Sequence, residues 1–190
     1  SKYLKLANNL KLDIKLSKPN DIINKSKGLL IESDKKEINK KEYKKCPESI
    51  FIVGMPRSGS TLLESILSMN SDVDDLGEVN ILGESFHECM KSKQKISLAE
   101  LYWGKVNNKT KLNITTNKWL YNYRYAGIIS RDIPNAKIIH CYRNPLDNIL
   151  SIYRTHFAKG NQYASSLIAC TRIYLDQEEV MTEYKNRFRS

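Results

Sequence analysis

A single stretch, residues 50–63, constrains the fold of this chain more than any other. It reads Ile-Phe-Ile-Val-Gly-Met-Pro-Arg-Ser-Gly-Ser-Thr-Leu-Leu. The apolar run before Gly54 is rich in β-branched and aromatic residues and predicts a buried strand, and Thr61 opens an apolar segment typical of a helix. A strand, a glycine loop and a helix start together form a cradle for a phosphate-like group, because loop amides point inward and the helix N-terminus carries partial positive charge.

The glycines of this loop, Gly54 and Gly59, have the spacing of P-loop NTPases. Those proteins place a lysine directly after the second glycine, where it reaches the β- and γ-phosphates, but this chain has Ser60 there. Arg57 lies inside the loop instead. The loop therefore predicts a site for a phosphate-like group without the usual lysine of a triphosphate site.

The chain is basic, with a net charge of +10 over 190 residues and an apolar content of 41%. This length allows one domain with a hydrophobic core. The charge is compatible with nucleic acid, an acidic membrane surface, an acidic protein or a polyphosphorylated small molecule. Lysines crowd one segment of the N-terminal arm: Lys35, Lys36, Lys40, Lys41, Lys44 and Lys45. Aromatic residues are not interleaved there as in a base-stacking platform, so we interpret the run as a solvated linker and expect no nucleic-acid partner.

The four cysteines are far apart and form no pair with metal-ligand spacing. Free thiols in a reducing compartment are the default for such a chain, so we predict a cytoplasmic location and no metal. No apolar run approaches the ~20 residues that a membrane-spanning helix needs, and no signal peptide is visible. The sequence begins with Ser1 rather than Met, which is compatible with a piece of a longer protein.

Two regions follow one another along the chain. Residues 1–45 are interpreted as a helical, lysine-rich arm or the tail of an upstream domain, and residues 46–190 as the compact domain. Leucines at helical spacing predict a short amphipathic helix over residues 3–12. Pro19 and Gly28 are expected to break the stretch after it.

Strands alternate with helices in the compact domain. Besides the strand before Gly54, strands are predicted at residues 112–116 and 136–142, a polar turn at 70–78 that includes Asp74 and Asp75, and helices at 79–91, 97–108, 121–131, 146–157 and 165–188. Ser97 is expected to cap its helix with Glu100 as partner. This alternation predicts an α/β fold with a parallel sheet covered by helices on both faces. Ligands of such sheets lie at the carboxyl ends of the strands, where residues 54–61 and 143–145 fall.

A second cationic loop follows the strand at residues 136–142. Arg143 leads through Asn144 and Pro145 into a helix, and Ser151 lies about one and a half turns into that helix. Helical side chains lean toward their own N-terminus, which aims Ser151 back at the loop. An arginine and a hydroxyl would hold a phosphate there through charge-assisted hydrogen bonds worth roughly 1.5–3 kcal/mol each. Two cationic loops at one sheet edge predict a ligand with two anionic ends.

The two loops also carry a family resemblance. Residues 51–64 (Phe-Ile-Val-Gly-Met-Pro-Arg-Ser-Gly-Ser-Thr-Leu-Leu-Glu) and 138–151 (Ile-Ile-His-Cys-Tyr-Arg-Asn-Pro-Leu-Asp-Asn-Ile-Leu-Ser) resemble the PAPS-dependent sulfotransferases. The most similar branch is the bacterial one that follows tetratricopeptide repeats and is related to protein-tyrosine sulfotransferases. The resemblance covers about residues 49–185 and implies a P-loop-type three-layer sandwich.

The resemblance assigns a role to each loop. It implies that the second loop binds the 3′-phosphate of PAPS through Arg143 and Ser151, and that the first loop binds the 5′-phosphosulfate. The residues of the first loop so implied are Arg57, Ser58, Gly59, Ser60 and Thr61. Because a 3′-phosphate distinguishes PAPS from ATP, the second motif explains why the first lacks the lysine.

The resemblance further implies transfer of a sulfuryl group to a hydroxyl acceptor, with a peptide tyrosine, a carbohydrate or a small molecule as candidates. Such transfer depends on positioning and charge neutralisation, for which cationic side chains suffice without a metal. Arg57 is the first candidate for stabilising the leaving oxygens. Lys118 is the second, because related enzymes place a lysine after this strand, although Leu120 stands where the family has proline. Glu78, at the Gly-Glu position of the protein-tyrosine sulfotransferases, is the candidate general base.

Other interpretations remain open. One is a P-loop kinase that uses ATP, Mg²⁺ and a lysine from elsewhere, and another is a non-catalytic or truncated module that binds PAP or other anions. Nucleic-acid binding through the lysine arm is a weaker alternative, with steep salt dependence as its signature. Related enzymes continue past the final helix with further sheet, so the resemblance also implies that the C-terminal part of the domain is missing. His140 is expected to be a half-buried, hydrogen-bonded histidine, and the oligomeric state is open.

Overall fold

A computed structural model describes residues 2–35, 46–92, 96–157 and 161–188. Its centre is a sheet in which every strand pairing is parallel, in the order β2-β3-β1-β4. The strands are β1 (Glu48–Gly54), β2 (Val73–Asp75), β3 (Ile114–Asn117) and β4 (Ala136–Cys141). Helices flank this sheet, so the predicted α/β architecture with a central parallel sheet is confirmed.

The helices account for most of the remaining described residues. They are α1 (Lys2–Ile14), α2 (Pro19–Ser33), α3 (Ser60–Leu67), α4 (Ile81–Lys91), α5 (Leu98–Asn107), α6 (Ala126–Asp132), α7 (Pro145–Arg154) and α8 (Leu167–Phe188), with 3₁₀ helices at Leu120–Tyr125 and Gln162–Ser165. Among the helices described, none combines the length and the apolar character that crossing a bilayer requires.

The register of the sheet brings three strand ends to one edge. β1 is the central strand and pairs with both β3 and β4, with Phe51 opposite Asn117 and Gly54 opposite Cys141. Phe51, Ile52 and Val53 are fully buried, as expected of a strand covered on both faces. Because parallel strands point the same way, the loops after β1, β3 and β4 all leave the sheet at this edge.

Two hydrophobic clusters hold the helices against the sheet. The larger one joins β1 to α4, α5, α6 and the first 3₁₀ helix, and includes Phe51, Tyr102, Trp103 and Tyr123. The smaller one lies under α7 and α8 and contains Met55 and Ile152. Met55 follows β1 and Ile152 precedes the end of α7, so this second cluster packs α7 against the loop that leaves the central strand.

The prediction of a polar turn over residues 70–78 is wrong for residues 73–75, which form the edge strand β2. Asp75 pairs with Thr116 of β3 in parallel register. Asp74 and Asp75 therefore lie in a strand and not in a turn. Backbone pairing with β3 stabilises this strand although its side chains show no alternation of polar and apolar residues, and edge strands are commonly short and charged.

Gly28 does not break α2, contrary to the prediction, whereas Pro19 does follow a break, since α1 ends at Ile14 and α2 begins at Pro19. Pro19 occupies the first turn of α2, where a missing backbone N–H costs nothing. Gly28 lies inside the helix, at a cost of about 1 kcal/mol relative to alanine. Burial of Leu29 and a hydrogen bond of 2.7 Å from Ser26 Oγ to Asp176 Oδ2 on α8 offset that cost. The rest of the lysine-rich run, residues 36–45, lies outside the described residues.

Of two further helix predictions, the structure confirms one and corrects the other. The capping box at the start of α5 is confirmed, since Ser97 and Glu100 exchange side-chain to backbone hydrogen bonds. The single helix predicted over residues 121–131 is instead a 3₁₀ helix at Leu120–Tyr125 followed by α6. Burial of Tyr123 and Tyr125 in the core accompanies this tighter geometry.

Candidate functional site

The loop between β1 and α3 has a backbone that only certain residues adopt. Gly54, Arg57 and Gly59 have φ values of 142°, 67° and 95°. A Cβ on Gly54 would lie 2.5 Å from the carbonyl oxygen of Cys141, so the closeness of β4 requires glycine there. Arg57 is a non-glycine residue in the left-handed region, which costs about 1–2 kcal/mol. Such strain is typical of loops whose shape serves a ligand.

The start of α3 exposes hydrogen-bond donors suited to an anion. Gly59 occupies the N-cap position, and a glycine has no side chain to cap the first turn. Ser58 has a buried hydroxyl for which the described residues provide no hydrogen-bond partner. Ser60 is buried, while Gly59 and Thr61 are exposed. Backbone N–H groups at a helix N-terminus, next to an unpartnered hydroxyl, match the donors that a phosphate or sulfate group accepts from.

Asparagines position the second loop against the first. Asn144 caps α7, its side-chain oxygen accepting from the backbone N–H groups of Leu146 and Asp147 at 3.0 and 3.2 Å. Asn148, fully buried one turn later, donates from Nδ2 to the carbonyl oxygen of Pro56 at 2.9 Å. The sequence argument missed Asn148, whose only signal is a polar residue on the inner face of an amphipathic helix. This bond fixes α7 relative to the loop after β1.

Direct contacts join Arg57, Arg143 and Ser151. The Nε of Arg57 donates to Ser151 Oγ at 3.3 Å. The guanidinium of Arg143 donates to the carbonyl oxygen of Arg57 at 3.1 Å, and the Tyr174 hydroxyl donates to the carbonyl oxygen of Arg143 at 3.3 Å. The sequence argument placed Arg57, Arg143 and Ser151 at one sheet edge, and the structure brings these three residues together there.

These residues line a pocket of about 330 Å³, which we call the arginine pocket. Its walls are Arg57, Arg143, Asp147, Leu150, Ser151, Arg154 and Thr155. Arg57 and Arg143 are exposed, and no carboxylate in the described ranges forms an ion pair with either guanidinium. The pocket thus has an excess of positive charge that an external anion can neutralise.

A second group of polar and charged residues comes from α3, from β3 and from the segments after β2 and β3. We call it the lysine cluster: Glu64, Glu78, Thr116 and Lys118. The Nζ of Lys118 is 2.9 Å from Glu78 Oε1 and 3.6 Å from Glu64 Oε2. The Thr116 hydroxyl donates to Glu64 Oε1 at 3.0 Å. The Lys118 side chain is 7% exposed and that of Glu78 is 64% exposed. The cluster therefore reaches from the interior to the solvent.

Two of its members were predicted and two were missed. Lys118 and Glu78 were candidate site residues, and the structure places their side chains in contact. Glu64 and Thr116 were not singled out. The signal for Glu64 was weak but present, because it is an acidic residue on the short apolar helix that begins at the predicted anion-binding loop.

His140 lies near the end of β4, and its side chain contacts α8. Its Nε2 is 2.7 Å from Gln177 Nε2 on α8, and its Nδ1 has no partner among the described residues. Burial and the nearby charge of Lys185 lower the pKa of His140 to about 4. The imidazole is therefore neutral at pH 7 and adds no positive charge to the site. In the described ranges no three or more His, Cys, Asp or Glu side chains group as metal ligands.

Comparisons with known proteins place the chain in a family. A protein of Aquifex aeolicus (strain VF5), described as uncharacterized, is 32% identical over 130 residues, which cover 57% of this chain and 17% of that protein. The chain thus corresponds to a small part of that relative. A family model described as "Sulfotransferase domain" matches residues 47–189, a span that includes the arginine pocket and the lysine cluster. The chain belongs to the sulfotransferase domain family.

Proposed function

We propose that this sulfotransferase domain takes its sulfuryl group from PAPS and transfers it to a hydroxyl acceptor. The observation that carries the proposal is the convergence of Arg57, Arg143 and Ser151 in the arginine pocket. Two arginines without carboxylate partners among the described residues, from loops after neighbouring strands, suit a ligand with two separate anionic groups. A nucleoside triphosphate has all its charge on one chain of phosphates, and the lysine that usually binds it is replaced by Ser60.

The residues of both loops fit the two ends of PAPS. Arg57, Ser58, Gly59, Ser60 and Thr61 would hold the 5′-phosphosulfate, and the unpartnered hydroxyl of Ser58 supports this assignment. For the 3′-phosphate the proposed ligands are Arg143 and Ser151. Ser151 Oγ accepts from Arg57, and a hydroxyl that accepts one hydrogen bond still has its own O–H to donate. The Arg57 contact is therefore compatible with a phosphate bound by Ser151.

The chain's own side chains can perform the steps of sulfuryl transfer. Bound PAPS would supply a sulfuryl group activated for transfer. Arg57 and Lys118 would neutralise negative charge that develops on the leaving oxygens. Glu78 would accept the proton of the acceptor hydroxyl. The exposure of the Glu78 carboxylate supports this role, because an acceptor must approach the base from the solvent.

Protein tyrosine is our first candidate for the acceptor, since Gly77 and Glu78 match the Gly-Glu position of the protein-tyrosine sulfotransferases. Carbohydrates and small phenols remain candidates. The proposal keeps the predicted cytoplasmic location and residues 1–45 as an arm or the tail of an upstream repeat domain.

Ligand binding tests the donor directly. PAP, the product left after transfer, should raise the melting temperature of the protein, whereas ATP with Mg²⁺ should not. Arg57→Ala should abolish the stabilisation by PAP, and Arg172→Ala should preserve it, because Arg172 lies on α8 and donates to Asn20. If PAP does not change the melting temperature and Arg57→Ala has no effect on it, the proposed function is wrong.

The same material separates the alternatives. Labelled PAPS, offered with acidic tyrosine peptides, carbohydrates and phenols, should yield a sulfated product with one of these acceptors. Stabilisation by ATP with Mg²⁺ instead of PAP would favour a kinase. PAP affinity without turnover on any acceptor would favour a non-catalytic binding module.

A further inference from the structure

Glu64 is a buried carboxylate that the proposed function leaves without a role. It lies on α3, the helix that starts at the anion-binding loop, and is 5% exposed. Its Oε1 accepts the Thr116 hydroxyl at 3.0 Å, and its Oε2 lies 3.6 Å from Lys118 Nζ. A buried carboxylate requires a hydrogen bond and a cation. Thr116 supplies the first and Lys118 the second.

Lys118 thus contacts two carboxylates of different exposure, 7% for Glu64 and 64% for Glu78. The Lys118 ammonium has three N–H donors, and Glu78 Oε1 accepts one of them at 2.9 Å. The distance of 3.6 Å to Glu64 is longer than a good hydrogen bond, so Glu64 acts on the ammonium mainly through charge. Lys118 consequently retains donors for another anion. The backbone N–H of Lys118 also donates to the carbonyl oxygen of Gly77, at 3.0 Å, beside Glu78.

We propose that Glu64 is a positioning residue: its carboxylate, oriented by Thr116, holds the Lys118 ammonium at the sheet edge in the place where it assists sulfuryl transfer. The physical reason is the flexibility of the lysine. Glu78 is 64% exposed, and a long lysine side chain paired only with an exposed carboxylate would follow it toward water. The buried charge of Glu64 opposes that movement. The inference rests on the proposed function, which gives Lys118 its role.

A purely structural Glu64 would behave differently. It would only connect α3 to β3, so that its loss would lower stability but leave the rate per folded molecule unchanged. A positioning Glu64 acts through Lys118, so that its loss has no further effect on the rate once Lys118 is absent. A double-mutant cycle on these two residues separates the two cases.

The first experiment measures kcat, KM and the Kd of PAP for Glu64→Gln, Lys118→Met and the double variant. Glu64→Gln should lower kcat about 10- to 100-fold, since small displacements of catalytic groups have effects of this size. The Kd of PAP should remain unchanged, and the double variant should have the same kcat as Lys118→Met. Additive losses, or a wild-type kcat in Glu64→Gln, would overturn the proposal.

Variants of Thr116 and Glu48 complete the test. Thr116→Val removes the hydroxyl that orients Glu64 and should lower kcat, but by less than Glu64→Gln does. Thr116→Ser keeps a hydroxyl and should have a kcat close to that of the wild type. If Glu64→Gln fails to fold, Thr116→Val replaces it in the cycle with Lys118→Met. Glu48→Gln is the matched control, because it removes the carboxylate charge from a Lys–Glu contact of 2.7 Å with Lys137 at the opposite end of the same sheet. It should leave kcat unchanged.

A second measurement does not depend on turnover. Lys118 is 7% exposed, so an amine-acylating reagent should modify it slowly in the wild-type protein, as read by mass spectrometry of peptides. Glu64→Gln should increase its labelling severalfold, relative to the exposed Lys137 in the same sample. Unchanged labelling of Lys118 contradicts the proposal even if PAP binds and turnover occurs. If Glu64→Gln increases the labelling of Lys118 but the protein binds no PAP, then Glu64 does hold Lys118 in place and the proposed function is wrong.

Discussion

The arginine pocket and the lysine cluster lie at the same edge of one sheet, yet their positive side chains differ in burial and in whether they have carboxylate partners. Arg57 and Arg143 are exposed, and the described residues offer them no carboxylate partner. Lys118 is nearly buried and contacts the two carboxylates Glu64 and Glu78. An exposed guanidinium without a counter-charge remains hydrated and open to an external anion, whereas a buried ammonium needs a permanent counter-charge.

The difference separates binding from chemistry within the proposed site. The arginine pocket can bind anions, and its loss should appear as weaker affinity. In the lysine cluster the one ammonium already has two carboxylate partners, so loss of the cluster should appear as a slower reaction with the affinity for PAP preserved. Arg57 lines the arginine pocket and is also proposed to stabilise the leaving oxygens. Its loss should therefore change both the affinity for PAP and the reaction rate.

The largest effect is expected from Arg57→Ala. Removing this guanidinium should lower kcat/KM about 1000-fold, the size found for loss of a donor that stabilises transition-state charge. The Kd of PAP should rise in the same variant, because the loop also binds the ligand. Sulfation rates and calorimetric titration with PAP measure the two effects. An effect on kcat alone would move Arg57 into the same class as the lysine cluster and weaken the comparison.

Glu78→Gln should lower kcat about 100-fold, since general-base catalysis contributes on this order. The isosteric amide retains the contact with Lys118 but cannot accept the acceptor proton. The Kd of PAP should not change. Glu84→Gln, an exposed acid on α4, is the control and should be silent in steady-state kinetics. A rise in the Kd of PAP with unchanged kcat would show that Glu78 contributes to ligand binding and not to the reaction step.

Arg143→Ala should weaken PAP binding roughly 10- to 100-fold, the equivalent of one charge-assisted hydrogen bond. Adenosine 5′-diphosphate lacks the 3′-phosphate, so its Kd should be unaffected by the same change. Comparing the two ligands by calorimetry sharpens the assignment of the second loop. Equal losses for both would show that Arg143 contacts the 5′ end or only supports the first loop through its bond to the Arg57 carbonyl.

Ser151→Ala should have the smallest effect, a rise of about fivefold in the Kd of PAP, as expected for one neutral donor. It removes the acceptor of the Arg57 Nε hydrogen bond as well. Ser151→Thr retains the hydroxyl and should bind PAP nearly as well as the wild type. Equal losses in both variants would indicate that the side-chain volume matters and the hydroxyl does not.

The fold and the arginine pocket were more predictable than the lysine cluster, for a physical reason. Parallel strands end at one edge, so the order of strand, loop and helix was enough to place Arg57 near Arg143. The contact between Glu64 and Lys118 depends on which way α3 faces, and that is decided by the packing of α3 against β1 and β2. The strand β2 was missed because backbone pairing stabilises it, and Gly28 was misread because tertiary packing overrode its helix propensity.

The close contact at Gly54 has a consequence for what the domain can accept. A methyl group there would meet the Cys141 carbonyl at 2.5 Å, so the ends of β1 and β4 touch through their backbones. The paired backbones of β1 and β4 therefore set the distance between the two loops that carry Arg57 and Arg143. If each loop binds one anionic group, as proposed, a molecule with the same total charge but a shorter or longer separation between its anionic groups would fill one loop and leave the other empty.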